Sequence, residues 1–85
     1  MLTLERWNKL SLHDQIGHIA SQIKRAEIME DKKDKQMLLK EAIRLVDLSL
    51  SDYKWQETSP LLFLKSALEE AYVGKRTASE IYSWI

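Results

Sequence analysis

Apolar residues are densest in residues 37–50, MLLKEAIRLVDLSL, where nine of fourteen positions are hydrophobic. A period of 3.6 residues collects most of them on one side of a helix. A helix that rests on a single neighbour needs an apolar stripe of only about 100°. The apolar arc here is wider, so the pattern predicts a central helix with neighbours on both sides. Its inward face holds Leu38, Ala42, Leu45, Val46 and Ser49.

Two further helical patterns flank this segment. The first covers residues 12–30 and follows a capping box in which Asp14 stands three residues after Ser11. Its apolar side holds Leu12, Ile16, Ile19, Ala20, Ile23 and Ala26. The second covers residues 60–73, where Ser59 is the expected cap and Gly74 the expected stop. Its apolar side holds Leu61, Leu64, Ala67, Leu68, Ala71 and Tyr72.

Shorter patterns complete the chain. Thr3 is the expected cap of a short opening helix that contains Trp7, and a second capping box at Thr77 begins a last helix. That helix should run to the chain end and present Ile81, Tyr82, Trp84 and Ile85. The predicted fold is therefore all-α: one domain, residues 1–85, built as a small bundle of three main helices with short N- and C-terminal helices.

Two connectors are predicted between the main helices. The charge pattern of residues 30–35, EDKKDK, predicts a charged turn in which Asp34 caps the central helix. Residues 51–59 show no periodicity, so their conformation stays open. We expect Tyr53 and Trp55 within them to return to the edge of the core.

Composition narrows the possible functions. The chain has 45% hydrophobic and 31% charged residues, which is typical of a globular domain. The absence of cysteine excludes disulfides and thiolate chemistry and fits a cytoplasmic location. Thirteen basic and thirteen acidic side chains give a formal charge of zero, so nothing indicates a nucleic-acid or membrane surface. The longest apolar run, residues 61–64, is far too short to span a bilayer.

Candidate chemistry is sparse. His13 and His18 would point about 140° apart on a helix and so cannot share a metal ion. The two glycines stand alone and form no phosphate loop. We therefore predict no enzymatic activity, no metal and no cofactor. A polar site, if one exists, should lie on the strip that contains Asp14, His18, Ser21 and Arg25, although a solvated face is the favoured explanation of that strip.

Several apolar side chains fall outside the inward stripes. They are Ile28, Met29, Met37, Leu48, Leu62, Phe63 and Val73. So many on a small domain indicate an interface, and a two-fold homodimer is the commonest result. We expect a non-catalytic interaction or assembly module that self-associates. The alternative is a small nucleic-acid-associated regulator that would use Lys24, Arg25, Lys75 and Arg76.

One sequence pattern extends over much of the chain. It comprises residues 44–52, RLVDLSLSD, and nine earlier residues. The nine are Trp7, Leu10, Ser11, Leu12, Gln15, Ile19, Ser21, Arg25 and Ala26. This pattern resembles a family of small uncharacterised prokaryotic helical proteins. The resemblance implies a small helical domain and no particular activity. The third helix of that family carries several Arg and Glu residues, whereas residues 60–68 here are mostly apolar. Packing alone does not require Gln15, Ser21 or Arg25 to be polar.

Overall fold

In the computed structural model, which describes residues 3–84, the chain forms five α-helices and no strand. The prediction of an all-α bundle with three main helices and a short helix at either end is confirmed. The helices are α1 (Leu4–Asn8), α2 (Leu12–Ile28), α3 (Lys32–Leu50), α4 (Ser59–Tyr72) and α5 (Ala78–Tyr82).

Side-chain caps fix the starts of α1, α2, α3 and α5. The cap predicted for α4 is wrong, because Ser59 is the first residue of that helix and Thr58 before it makes no side-chain capping bond. The Ser11 hydroxyl accepts from the Asp14 backbone N–H at 3.1 Å, and the Thr77 hydroxyl accepts from Glu80 at 3.3 Å, as predicted. The cap predicted for the central helix is wrong. Asp31, rather than Asp34, accepts from the Lys33 and Asp34 backbone N–H groups at 2.8 and 3.1 Å. The helix α3 therefore begins at Lys32, within the segment expected to form a charged turn.

The ends of α2 and α4 can be compared with their predicted positions. The helix α2 ends at Ile28, two residues before its predicted end, because Met29 adopts an extended conformation. Gly74 stops α4 as predicted, with a φ of 85° that favours glycine. Its N–H donates to the Ala71 carbonyl at 3.1 Å, and the Lys75 N–H donates to the Glu70 carbonyl at 2.8 Å. These two bonds form a Schellman motif that satisfies the last carbonyls of the helix.

The helices α2, α3 and α4 pack side by side with alternating direction, and α3 lies between the other two. The Gln36 amide near the start of α3 donates to the Tyr72 carbonyl at 3.1 Å, whereas Asp47 near its end pairs with Lys65 at 2.7 Å. The segment expected to form a central helix does so. One end of the bundle holds α1 and residues 51–58, and we call it the α1 end. The opposite end, with residues 29–31 and 73–77, is the turn end.

The core lies along the inner face of α3. Its buried apolar side chains are Trp7, Ile19, Ile23, Ala26, Leu39, Ala42, Leu45, Val46, Leu61, Leu64, Ala67, Leu68, Ala71, Ala78 and Ile81. Leu38, expected among them, is half-buried, and Leu39 takes the inward position. In the described part of the chain, no helix is both long and apolar enough to cross a membrane.

The segment after α3 differs from the prediction at one residue. Trp55 is half-buried against the core, as expected. Tyr53 does not return to the core edge, because its side chain is 87% exposed. The two aromatic residues are separated by Lys54, whose ammonium turns inward to the Asp52 carboxylate. The last helix ends at Tyr82, and the predicted contribution of Ile85 falls outside the described residues.

Candidate functional site

The most organised polar group in the molecule is buried at the α1 end and centres on Gln15. This side chain is fully buried on α2. Its Oε1 accepts from the Ser49 hydroxyl at 2.9 Å and from the Trp55 indole N–H at 2.7 Å. Its Nε2 donates to the Trp7 carbonyl at 3.1 Å and to an Asp52 carboxylate oxygen at 2.7 Å. One amide thus joins α1, α2, α3 and the segment after α3.

Trp7 also belongs to this group of hydrogen-bonded side chains. Its indole N–H donates to the Ser49 hydroxyl at 3.0 Å, and that hydroxyl in turn donates to Gln15. We call Trp7, Gln15, Ser49, Asp52 and Trp55 the Gln15 network. Buried polar atoms are costly unless they are paired. Here both ends of the amide, the hydroxyl and both indoles have partners, so the network holds its elements in one arrangement.

Asp52 is the charged member of the network, and its side chain is fully buried. Burial alone would raise the pKa of this carboxyl group. Hydrogen bonds from the Lys54 ammonium at 2.8 Å, the Lys54 backbone N–H and the Gln15 amide outweigh burial, and the pKa of Asp52 is lowered. The Lys54 ammonium also donates to the Asn8 carbonyl. Asp52 is therefore ionised at neutral pH and fixes the turn that follows α3.

The Gln15 network contains four residues of the sequence pattern described above. Trp7, Gln15, Ser49 and Asp52 all belong to that pattern, and the structure explains why each is polar or carries an N–H. Sequence reasoning found no packing role for Gln15, because its partners lie up to 40 residues away in the chain. The amide is a structural group, since its polar atoms are directed at other buried groups of the protein.

The predicted polar strip is a different surface. Asp14, His18, Ser21 and Arg25 are all exposed on the outer side of α2. The first three border a shallow depression, and Arg25 lies outside it. The His18 ring packs against Trp7, with ring centroids 5.8 Å apart and planes inclined by 56°. In residues 3–84, no three His, Asp or Glu side chains are grouped closely enough to hold a metal ion.

The residues of the predicted interface fall into two groups. Ile28, Met29, Met37 and Val73 belong to the turn end. Leu48, Leu62 and Phe63 belong to the α1 end, and Leu48 is half-buried against the core. Leu62 and Val73 are about 16 Å apart along α4, at a rise of about 1.5 Å per residue. A single compact patch therefore does not contain all seven.

A groove with apolar walls opens beside Phe63. It has a volume of about 310 Å³ and lies between α4, the start of α2 and the segment after α3. Phe63 and Trp84 pack against each other at its edge, with ring centroids 5.4 Å apart and planes inclined by 46°. Its walls are formed by Ile16, Trp55, Pro60, Leu61, Phe63, Leu64 and Trp84. The groove continues the exposed apolar surface of α4.

Two of the four basic residues of the nucleic-acid alternative are engaged within the protein. Lys24 pairs with Glu27 at 3.6 Å and lies over the Tyr82 ring. Arg76 lies between two carboxylates, at 3.1 Å from Glu70 and 3.4 Å from Glu80, and its guanidinium also covers the Trp84 ring. Arg25 and Lys75 are exposed. These four cations do not form one open basic surface.

No family model, no curated protein and no solved structure matches this chain. The resemblance to small prokaryotic helical proteins therefore stays a prediction. What the chain can do must be inferred from its own surfaces, of which the outer face of α4 carries exposed apolar side chains.

Proposed function

We propose that this protein is a non-catalytic assembly module that self-associates as a homodimer. The proposal is supported by one observation above all. The outward face of α4, which the bundle leaves uncovered, carries exposed apolar side chains towards both of its ends. The inner face of α4 is buried, yet Leu62 and Phe63 are 54% and 63% exposed and Val73, just after the helix, is 64% exposed.

The composition of α4 makes this exposure informative. The helix α4 is the most apolar of the three main helices, although Ser66 and Glu69 lie on its outward face. In this bundle, α4 packs against α3 and α5, and its outward face remains exposed. Single exposed apolar residues are common and need no explanation. Several on one helix, continuous with an apolar groove, are typical of a surface that another molecule covers.

Charge also favours a second copy over a nucleic acid. Two of the four candidate cations are paired with carboxylates, and the formal net charge of the chain is zero. A polyanion would gain little from such a surface. Two copies of a neutral chain can approach without mutual repulsion, and their apolar faces are identical.

Sedimentation equilibrium of the full chain tests the proposal. The monomer mass is 10.0 kDa, so the weight-average mass should rise towards twice that value as the protein concentration is raised to the millimolar range. A mass that stays at the monomer value throughout would refute self-association. A gel-shift titration at low salt with duplex DNA and single-stranded RNA tests the nucleic-acid alternative, for which we expect no binding at micromolar protein.

A further inference from the structure

The outward face of α4 has a spacing that helps to identify its partner. Leu62, Ser66, Glu69 and Val73 follow one another at intervals of four, three and four residues, and all four are exposed. At about 100° per residue, these positions lie within about 60° of one another around the helix. They form a straight strip, which we call the α4 seam, with an apolar residue at each end and two polar residues in the middle.

We infer that the α4 seam pairs with the same seam of a second copy, with the two helices antiparallel about a two-fold axis. This inference rests on the proposed function. With the axis between Ser66 and Glu69, Leu62 faces Val73 of the second copy. Ser66 then faces Glu69 of the second copy, so its hydroxyl can donate to the carboxylate. Each contact occurs twice, as a two-fold interface requires.

The chemistry of the seam selects this arrangement over the parallel one. A parallel two-fold pair would place each residue against its own counterpart, so two Glu69 carboxylates would meet at the centre. Like charges that face each other at an interface disfavour association. The antiparallel pair gives each carboxylate a hydroxyl donor. The short Ser66 side chain also lets the two helices approach to the usual separation of about 8–10 Å.

The dimensions of the seam indicate a weak dimer. A helix of 14 residues is about 21 Å long and about 10 Å wide, so its footprint is near 200 Å², whereas a stable interface buries about 800 Å² on each partner. Phe63 and Trp84 lie beside the seam and extend the contact. A dissociation constant of tens of micromolar or weaker is the expectation.

Opposite charges at position 66 test the register. In Ser66→Glu, the new carboxylate faces Glu69 of the second copy, so the dissociation constant should rise about tenfold. In Ser66→Lys, the new ammonium faces the same carboxylate, and the dissociation constant should fall. The double variant Ser66→Glu with Glu69→Lys restores opposite charges and should dimerise like the unmodified chain. The measurement is sedimentation equilibrium at low salt, repeated at about 0.5 M salt, where all three effects should shrink.

Ser21 provides the matched control, because it is an exposed serine on the outer face of α2. Ser21→Glu and Ser21→Lys should leave the dissociation constant unchanged, and circular dichroism should show every variant folded. If the unmodified chain dimerises but both substitutions at position 66 act alike or not at all, the α4 seam is wrong while self-association stands. If the unmodified chain never dimerises, both proposals fail.

Discussion

Gln15 is the side chain on which the buried polar contacts converge, and both ends of its amide are assigned by their partners. The oxygen faces two donors, the Ser49 hydroxyl and the Trp55 indole. The nitrogen faces three acceptors, the Trp7 and Leu10 carbonyls and the Asp52 carboxylate. Reversing the amide would bring donor against donor and acceptor against acceptor, so only one orientation is compatible with its neighbours.

Replacing Gln15 by alanine should destabilise the protein by about 3 kcal/mol, since the change leaves the Trp55 indole N–H and the Ser49 hydroxyl without an acceptor and removes one donor from the buried Asp52 carboxylate. The free energy of unfolding in urea, followed by far-UV circular dichroism, measures the loss. Gln22→Ala is the control on the same helix. The Gln22 Oε1 is buried with no hydrogen-bond partner among the described residues, so its removal should cost less than about 1 kcal/mol. Equal losses in the two variants would contradict a special role for Gln15.

Asp52 should make the stability of the protein depend on pH. Its pKa in the folded protein is lowered from the ordinary value of 3.8 by Lys54 and Gln15, despite burial. A carboxyl group with a lowered pKa stabilises the fold above its unfolded pKa, and that contribution disappears as pH falls through the folded pKa. The free energy of unfolding should therefore decrease from about pH 4 downwards.

The variant Asp52→Asn isolates this effect. At pH 7 it should be about 2 kcal/mol less stable than the unmodified chain, because the charge-assisted bonds to Lys54 are lost. The difference should shrink as the solution is acidified below about pH 4. Urea titrations at several pH values measure both curves. Parallel curves would show that the carboxylate is not responsible, because Glu41, whose pKa is lowered by Arg44, titrates in both proteins.

At the residue scale, sequence reasoning succeeded where a signal is local and failed where it is not. Ser11 and Thr77 were predicted as caps because the bonded N–H belongs to the third residue after each. Gln15 shows no comparable signal, because an amide at an inward helical position looks like any surface glutamine until its distant partners are known. Ser49 was assigned to the inward face, but the Trp7 indole that donates a hydrogen bond to its hydroxyl lies 42 residues away in the chain.

The elements themselves were predicted well, and their errors have simple causes. Asp31 and Asp34 stand three residues apart in a lysine-rich segment, so either could cap the central helix. The structure selects Asp31 because the extended backbone at Met29 already ends α2, and the shorter connection keeps the two helices adjacent. Gly74 was placed correctly because a glycine after a run of apolar helical positions is a strong stop signal.

The two glycines should respond to alanine in opposite directions. An added Cβ meets no atom within 4 Å at either position, so contacts do not differ and only the backbone matters. Gly74→Ala should destabilise the protein by about 1 kcal/mol, because its φ of 85° disfavours a side chain. Gly17→Ala lies inside α2 and should stabilise by about 0.5–1 kcal/mol. Thermal unfolding of both variants checks the pair, and a shared sign would contradict the backbone explanation.

At the scale of the whole molecule, the bundle was predictable but the distribution of its exposed apolar residues was not. Helical periodicity shows which residues avoid the inward stripe, and it gives no information on which end of the bundle they occupy. Antiparallel packing separates Ile28, Met37 and Val73 from Leu62 and Phe63. The α4 seam became visible only once the structure showed which face of α4 its neighbours leave open.

Self-association should also appear in the thermal stability. A dimer is favoured by mass action, so the unfolding midpoint should rise with protein concentration. Between about 5 and 500 µM, we expect an increase of about 4 °C or more for a domain of this size. Calorimetry or circular dichroism in short-path cells can cover this range. The Ser66→Glu variant should show a smaller increase, and identical midpoints at all concentrations of the unmodified chain would argue for a monomer.

The hydrogen bonds around the Gln15 network join residues that are far apart in the sequence, and this separation has a consequence for the order of folding. In α1, the Trp7 indole donates to Ser49, 42 positions later, and the Asn8 carbonyl accepts from the Lys54 ammonium, so α1 gains these contacts only once the end of α3 and the segment after it exist. During synthesis, α1 should therefore dock fully only after residue 54 has left the ribosome, while the α2–α3 hairpin can already form. In refolding experiments, Gln15→Ala should then accelerate unfolding and leave the folding rate nearly unchanged, which is the result expected of contacts that form after the transition state.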